Sequence, residues 1–124
     1  MKHAFSMIEL VFVIVVIGIL SAIAIPKFAA TRDDAIVSKA RTTVSALRSA
    51  IATERQKNIL KGDFTDINGA TAEGLIEYGL GDGWSRSGDT FTFSKSGIGN
   101  CSFTLSNNKL TKDSGCTVSG MSDL

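Results

Sequence analysis

The stretch AFSMIELVFVIVVIGILSAIAIP, Ala4 to Pro26, contains a single charged side chain, Glu9. From Phe5 to Ile25 it offers about 21 residues, close to the ~20 that a helix needs to cross the hydrocarbon of a bilayer. Lys2 precedes it, and a cation ahead of a span favours a cytoplasmic N-terminus with the following part exported. A cleaved secretory signal fits the same residues, with Lys2 as its charged end, Leu10 to Leu20 as its apolar run and Ala22-Ile23-Ala24 as a small-x-small cleavage pattern. An uncleaved anchor fits them too. Neither accounts for Glu9. A lone carboxylate costs on the order of 2.5–3.5 kcal/mol at the centre of a bilayer, less near the end of a helix. Its presence implies that a cation meets it, in this molecule or in a neighbour.

These residues resemble the N-terminal segment of type IV pilins and of the pseudopilins of type II secretion systems. In that family a short charged leader ends in a small residue, usually glycine, where a prepilin peptidase cuts. The exposed residue, usually phenylalanine, is then N-methylated, and a glutamate stands fifth in the mature chain. Here the leader is MKHA, residues 1–4, with the cut between Ala4 and Phe5 and Phe5 as the methylated residue. Glu9 then falls fifth, Gly18 fourteenth and Pro26 twenty-second, all positions shared with the family. Ala4 stands where glycine is usual. The match covers the first quarter of the chain. It implies that Glu9 pairs with the N-terminal amine of a neighbouring subunit, because a buried charge is costly alone and tolerable when matched. It also makes Gly18 to Pro26 the segment of the helix that extends when a filament is stretched.

Beyond Pro26 the residues read as a continued helix. Val37, Ala40, Val44, Leu47 and Ile51 recur at spacings of three and four and so share one face. Lys39, Arg41, Arg48 and Arg55 fall mostly off that stripe. Gly62 supplies a stop after Lys61, and Pro26 predicts a kink. A helix from Phe5 to about Leu60 would be ~80 Å long. The stripe lasts barely two heptads, which favours packing on a sheet over a coiled coil.

From Gly62 to Asp89 the chain is rich in glycine and turns, with a short helix expected over Thr71 to Tyr78, capped by Thr71. Asp63, Asp66 and Asn68 could form a loose cation site, but their spacing does not fit a calcium loop, and turn capping suits them better. TFTFS (Thr90 to Ser94) and CSFTL (Cys101 to Leu105) alternate as strands. Asn107-Asn108 turns the chain into Lys109 to Thr111, and Cys116 with Val118 suggests a final short strand. Trp84 reads as a core or loop anchor. Cys101 and Cys116 form a disulfide if this part is exported, and are otherwise two reduced core cysteines.

The sequence offers little for catalysis or for nucleic acid. The only histidine is His3, inside the leader, so no His-based nucleophile or metal site is available to a mature chain. Net charge is +1 with dispersed lysines and arginines, which leaves no footprint for nucleic acid. The expected architecture is α+β, pilin-like: a long N-terminal helix, its first half in the membrane, packed on a small C-terminal antiparallel sheet. Its parts are a leader at 1–4, an assembly helix at 5–25, an amphipathic continuation at 26–61 and a periplasmic region at 62–124. The resemblance implies a non-enzymatic fibre subunit of a type II secretion pseudopilus, a DNA-uptake fibre or a type IV pilus, with a slight lean to the secretion or uptake types, and needing no cofactor. Its partners would be copies of itself or related pilins, the prepilin peptidase, an inner-membrane assembly platform and the lipid bilayer. It would sit single-pass in the inner membrane, C-terminal part outside. The alternative is a small disulfide-bonded binding domain, secreted or anchored by an ordinary signal.

Overall fold

The computed structural model of the chain describes residues 4–124. Lys2 and His3, which support the leader and topology readings, lie outside the described residues. The chain divides into two compact units, Met1–Ala35 and Ile36–Leu124. Helix α1, Met7–Leu60, supplies residues to both.

In the first unit α1 is apolar around its whole circumference from Leu10 to Ile25. Every described residue there is exposed except Ala24, which is half-buried. Helical backbone continues through Gly18 and Pro26. Pro26 has no N–H to give, so the Ala22 carbonyl loses its usual helical donor.

In the second unit α1 becomes amphipathic. Ala40, Val44, Leu47 and Ile51 are buried, and Val37 packs half-buried against the same core. Thr42, Thr43 and Thr53 turn their hydroxyls onto the carbonyls of Ser38, Lys39 and Ser49, which satisfies these side chains within the helix. The helix ends in a Schellman motif. Gly62 sits at φ +81, its N–H donates to the Ile59 carbonyl and the Asp63 N–H to that of Asn58.

Four strands form an antiparallel meander in the order β1-β2-β3-β4: Trp84–Ser87, Thr90–Lys95, Gly99–Ser106 and Lys109–Lys112. Period-two alternation sends Phe91, Phe93, Cys101, Phe103, Leu105 and Leu110 into the core. Threonines and serines occupy the other face, where Thr92 and Ser102 hydroxyls lie 3.1 Å apart. Asn107 and Asn108 both adopt positive φ, +51 and +61, as a two-residue hairpin turn of this hand requires. The Asn108 side chain also accepts from the Ile67 N–H (2.7 Å) and donates to Asp66 (2.6 Å), fastening the loop after α1 to the sheet.

Three sequence expectations are corrected. The short helix α2 spans Gly69–Gly74, not Thr71 to Tyr78, and its cap is Asn68, whose side chain accepts from the Thr71 N–H at 2.8 Å. A strand, β1, begins at Trp84 within the stretch read as turns, while Trp84 itself packs half-buried against the core, the anchor expected of it. Its ring lies 5.4 Å from that of Phe93 and 6.0 Å from that of Phe103. The final strand expected around Cys116 and Val118 does not form. Gly115 (φ +91) and Gly120 (φ +89) turn the backbone away from extended geometry on either side.

The tail from Asp113 onward is instead fastened by side chains. Cys101 and Cys116 are joined in a disulfide across 15 residues, a loop worth about 3 kcal/mol in the chain-entropy account. Val118 and Met121 enter the core. Arg41 grips Asp123 with two hydrogen bonds (2.5 and 2.9 Å) and also donates to the Gly120 carbonyl. Lys112 donates to the Ser122 carbonyl. The hydrogen bonds from Arg41 hold the Asp123 carboxyl well below the usual carboxylate value, at about 2.

Two predictions follow from these contacts. A Cβ on Gly69 would lie 2.2 Å from the Gly88 carbonyl oxygen, and the Gly69 N–H already donates to Asp89 at 2.6 Å. Gly69→Ala should therefore destabilise the chain by about 1–3 kcal/mol, the usual range for overpacking, read by denaturant unfolding in detergent. Asp123 has a folded-state pKa below its unfolded value near 3.8, so its contribution is complete above that value and fades as pH falls towards 2. Asp123→Asn should melt below wild type at pH 6, and the two melting curves should converge near pH 2.

Candidate functional site

The N-terminus of α1 carries the residues on which the resemblance turns. Ala4 and Phe5 precede the helix and are exposed, Phe5 by 87%. Ser6 stands at the cap position before Met7. Its N–H donates to Glu9 Oε2 at 2.8 Å, and the Glu9 N–H donates to Ser6 Oγ at 3.3 Å. This is a reciprocal capping box, in which two orphan amides of the first turn are satisfied by side chains. The sequence signal was available in Ser6-Met7-Ile8-Glu9, a serine with glutamate three residues on, ahead of an apolar run.

The box gives Glu9 a local occupation in the single chain. Its carboxylate faces the positive end of the helix dipole and accepts from the amide one residue after Phe5.

The other residues singled out in the sequence are not gathered here. Gly18 lies further along α1 with nothing within 4 Å of where a Cβ would stand, so the isolated chain gives no packing reason for glycine. Pro26 lies further still along the same helix. Cys101 and Cys116 meet in the Ile36–Leu124 unit and serve its core. Asp63 accepts from the N–H (2.9 Å) and hydroxyl (2.7 Å) of Thr65, which lowers its pKa. Asp63 and Asn68 thus serve local turns, Asn68 as the cap of α2, whereas Asp66 accepts from Asn108 and ties the loop to the β3–β4 hairpin.

By length and composition α1 can cross a membrane, and its most apolar window has no buried residue. A lone all-round apolar helix needs a non-aqueous environment.

Comparison with known proteins agrees with this geometry. The chain is 39% identical over 101 residues to the type IV narrow pilus major component PilA5 of Thermus thermophilus, covering 75% of this chain and 87% of that protein. It is 39% identical over 74 residues to a fimbrial protein of Moraxella nonliquefaciens, covering 60% of this chain and 46% of that one, so it spans about half the length of the second relative. No family model and no solved structure matches. The chain belongs to the type IV pilin family.

If the capping box holds the first turn, Ser6→Ala should speed amide hydrogen exchange at Ile8 and Glu9 in detergent micelles. The loss should correspond to about 1 kcal/mol, and Ser6→Asp should restore protection. Amides beyond Ile36 should exchange as in wild type.

Proposed function

We propose that the chain is a structural subunit of a type IV pilus, made as a membrane precursor and assembled through the first half of α1. The observation that carries this reading is the wholly uncovered apolar half-helix, with a carboxylate at its N-terminus, on a chain of the pilin family. Residues 1–4 are the leader, 5–25 the segment that leaves the bilayer for the filament, 26–61 its amphipathic continuation and 62–124 the periplasmic part. The precursor lies in the inner membrane with its N-terminus in the cytoplasm.

Cleavage between Ala4 and Phe5 would create an α-ammonium one residue before the amide that Glu9 already holds. N-methylation would keep that cation. Among the described residues Glu9 accepts from the Ser6 amide before the cut. After the cut it has a full charge to meet, its own or that of a neighbouring subunit. Pairing with a neighbour would offset the cost of burying both charges and favour one axial register. Gly18, uncrowded in the single chain, would allow close approach of another helix, and the segment from Gly18 to Pro26 would be the weakest helical stretch. Partners would be other pilin copies, a prepilin peptidase that accepts alanine before the cut, and the assembly platform of the inner membrane. The chain has no role as an enzyme in this reading. The names of both relatives favour a pilus over a secretion pseudopilus.

The test is N-terminal sequencing and intact mass of the protein from its native membrane, combined with Glu9→Ala. A chain that begins at Phe5 and carries one methyl group, with filaments lost in Glu9→Ala while membrane levels hold, is the expected result. A start at Ile25 would make this an ordinary secreted domain, and undiminished filaments in Glu9→Ala would remove the register mechanism.

A further inference from the structure

Strand β4 is an edge of the sheet, and its free side is not closed by another strand. The direction of its backbone groups follows from the register. The Leu105 N–H donates to the Asp89 carbonyl at 2.8 Å, on the β2 side of β3. Within an antiparallel strand one residue sends N–H and C=O the same way. Leu110, paired opposite Leu105, therefore directs both groups away from β3. The Asp113 N–H donates inward to the Ser102 carbonyl, so Lys112 also points its backbone outward. Arg48 confirms the direction, since its Nε donates to the Leu110 carbonyl at 3.2 Å from outside the sheet.

Beside this edge lies a groove of about 570 Å³ between α1 and β4. Ile51, Ala52 and Leu110 give it apolar lining; Arg48, Lys109 and Lys112 bring cations; and no carboxylate side chain lines it. Arg48 also donates to the Leu124 carbonyl at 2.9 Å, which fixes the guanidinium in place. Outward amides at alternate residues, an apolar bed and cations are the features by which a sheet edge takes up an added strand.

We propose that this groove binds an extended acidic peptide segment of a second protein, which adds to β4 as a fifth strand. The peptide backbone would meet the Leu110 and Lys112 amides, and its carboxylates would meet Arg48 and Lys109. The Leu110 carbonyl keeps a second lone pair for the incoming amide. Charge complementarity selects the occupant. Two copies of β4 would bring lysines face to face, a known guard against self-pairing of edges. The chain also has little to donate itself. Among the described residues after α1, every carboxylate except Glu77 already accepts a hydrogen bond from its own chain. The inference goes beyond filament assembly and does not depend on it.

The test uses the full chain in detergent micelles and fluorescent peptides of alternating valine and glutamate, read by anisotropy. A lysine counterpart and two analogues, N-methylated at alternate residues on one edge or the other, complete the set. The acidic peptide should bind, the basic one should not, and N-methylation should abolish binding on one edge only. Lys109→Glu should weaken binding at least tenfold with the melting temperature unchanged, whereas Lys57→Glu, an exposed site outside the groove, should leave it intact. Equal binding of acidic and basic peptides, tolerance of N-methylation on both edges, or no binding up to millimolar peptide would overturn the proposal. Displacement of the peptide by oligothymidylate at lower concentration would overturn it in favour of a polyanion site, and displacement by added unlabelled chain in favour of a second copy.

Discussion

Everything in this chain depends on one helix that has to be stable in two solvents. In its first half α1 presents apolar side chains on all sides and has no charged residue between Leu10 and Ile25. In its second half only a stripe is apolar, and that stripe is buried at Ala40, Val44, Leu47 and Ile51. The hydrophobic effect acts on both halves, but it is answered differently. The stripe is covered by the chain's own phenylalanine-rich sheet. The first half has no cover of its own, and water is the wrong surrounding for it.

That division explains why polar groups in the first half are so few and so placed. Hydrocarbon offers no hydrogen bonds, so the first amides of the helix need partners supplied by the chain. Ser6 and Glu9 provide them to each other's backbone. The same carboxylate thus completes the end of the helix. In the proposed function that carboxylate would also meet the ammonium of a cleaved chain.

Much of the fold was legible from residue spacing. The stripe at intervals of three and four gave the packed half of α1, Gly62 its end, and the alternation in TFTFS and CSFTL the central strands. What stayed hidden depended on contacts distant in sequence. Trp84 heads a strand because Phe93 and Phe103 wait for its ring, and nothing in the flanking glycines announces this. The tail is held to the core by Arg41 and Lys112, where local pattern had suggested another strand. At the N-terminus the reverse holds: the capping box is fully local, with Ser6 three residues before Glu9, although the membrane cost of a carboxylate points first to a distant cation. Assembly, which we propose runs through Glu9, Gly18 and Pro26, would involve surfaces of other molecules that a single chain does not display.

The tail carries a consequence for how the chain reaches its native state. Arg41 bonds to groups 79 and 82 residues away, and a Cβ on Gly120 would sit 3.3 Å from the Val37 side chain. The two ends of the Ile36–Leu124 unit are thus neighbours in space. Closing so long a loop is entropically expensive and slow. The β-hairpins, whose contacts are near in sequence, can form early as the chain is synthesised. Val118 and Met121 complete the core only once that long loop has closed, so the hairpins can be in place while the unit as a whole is still open.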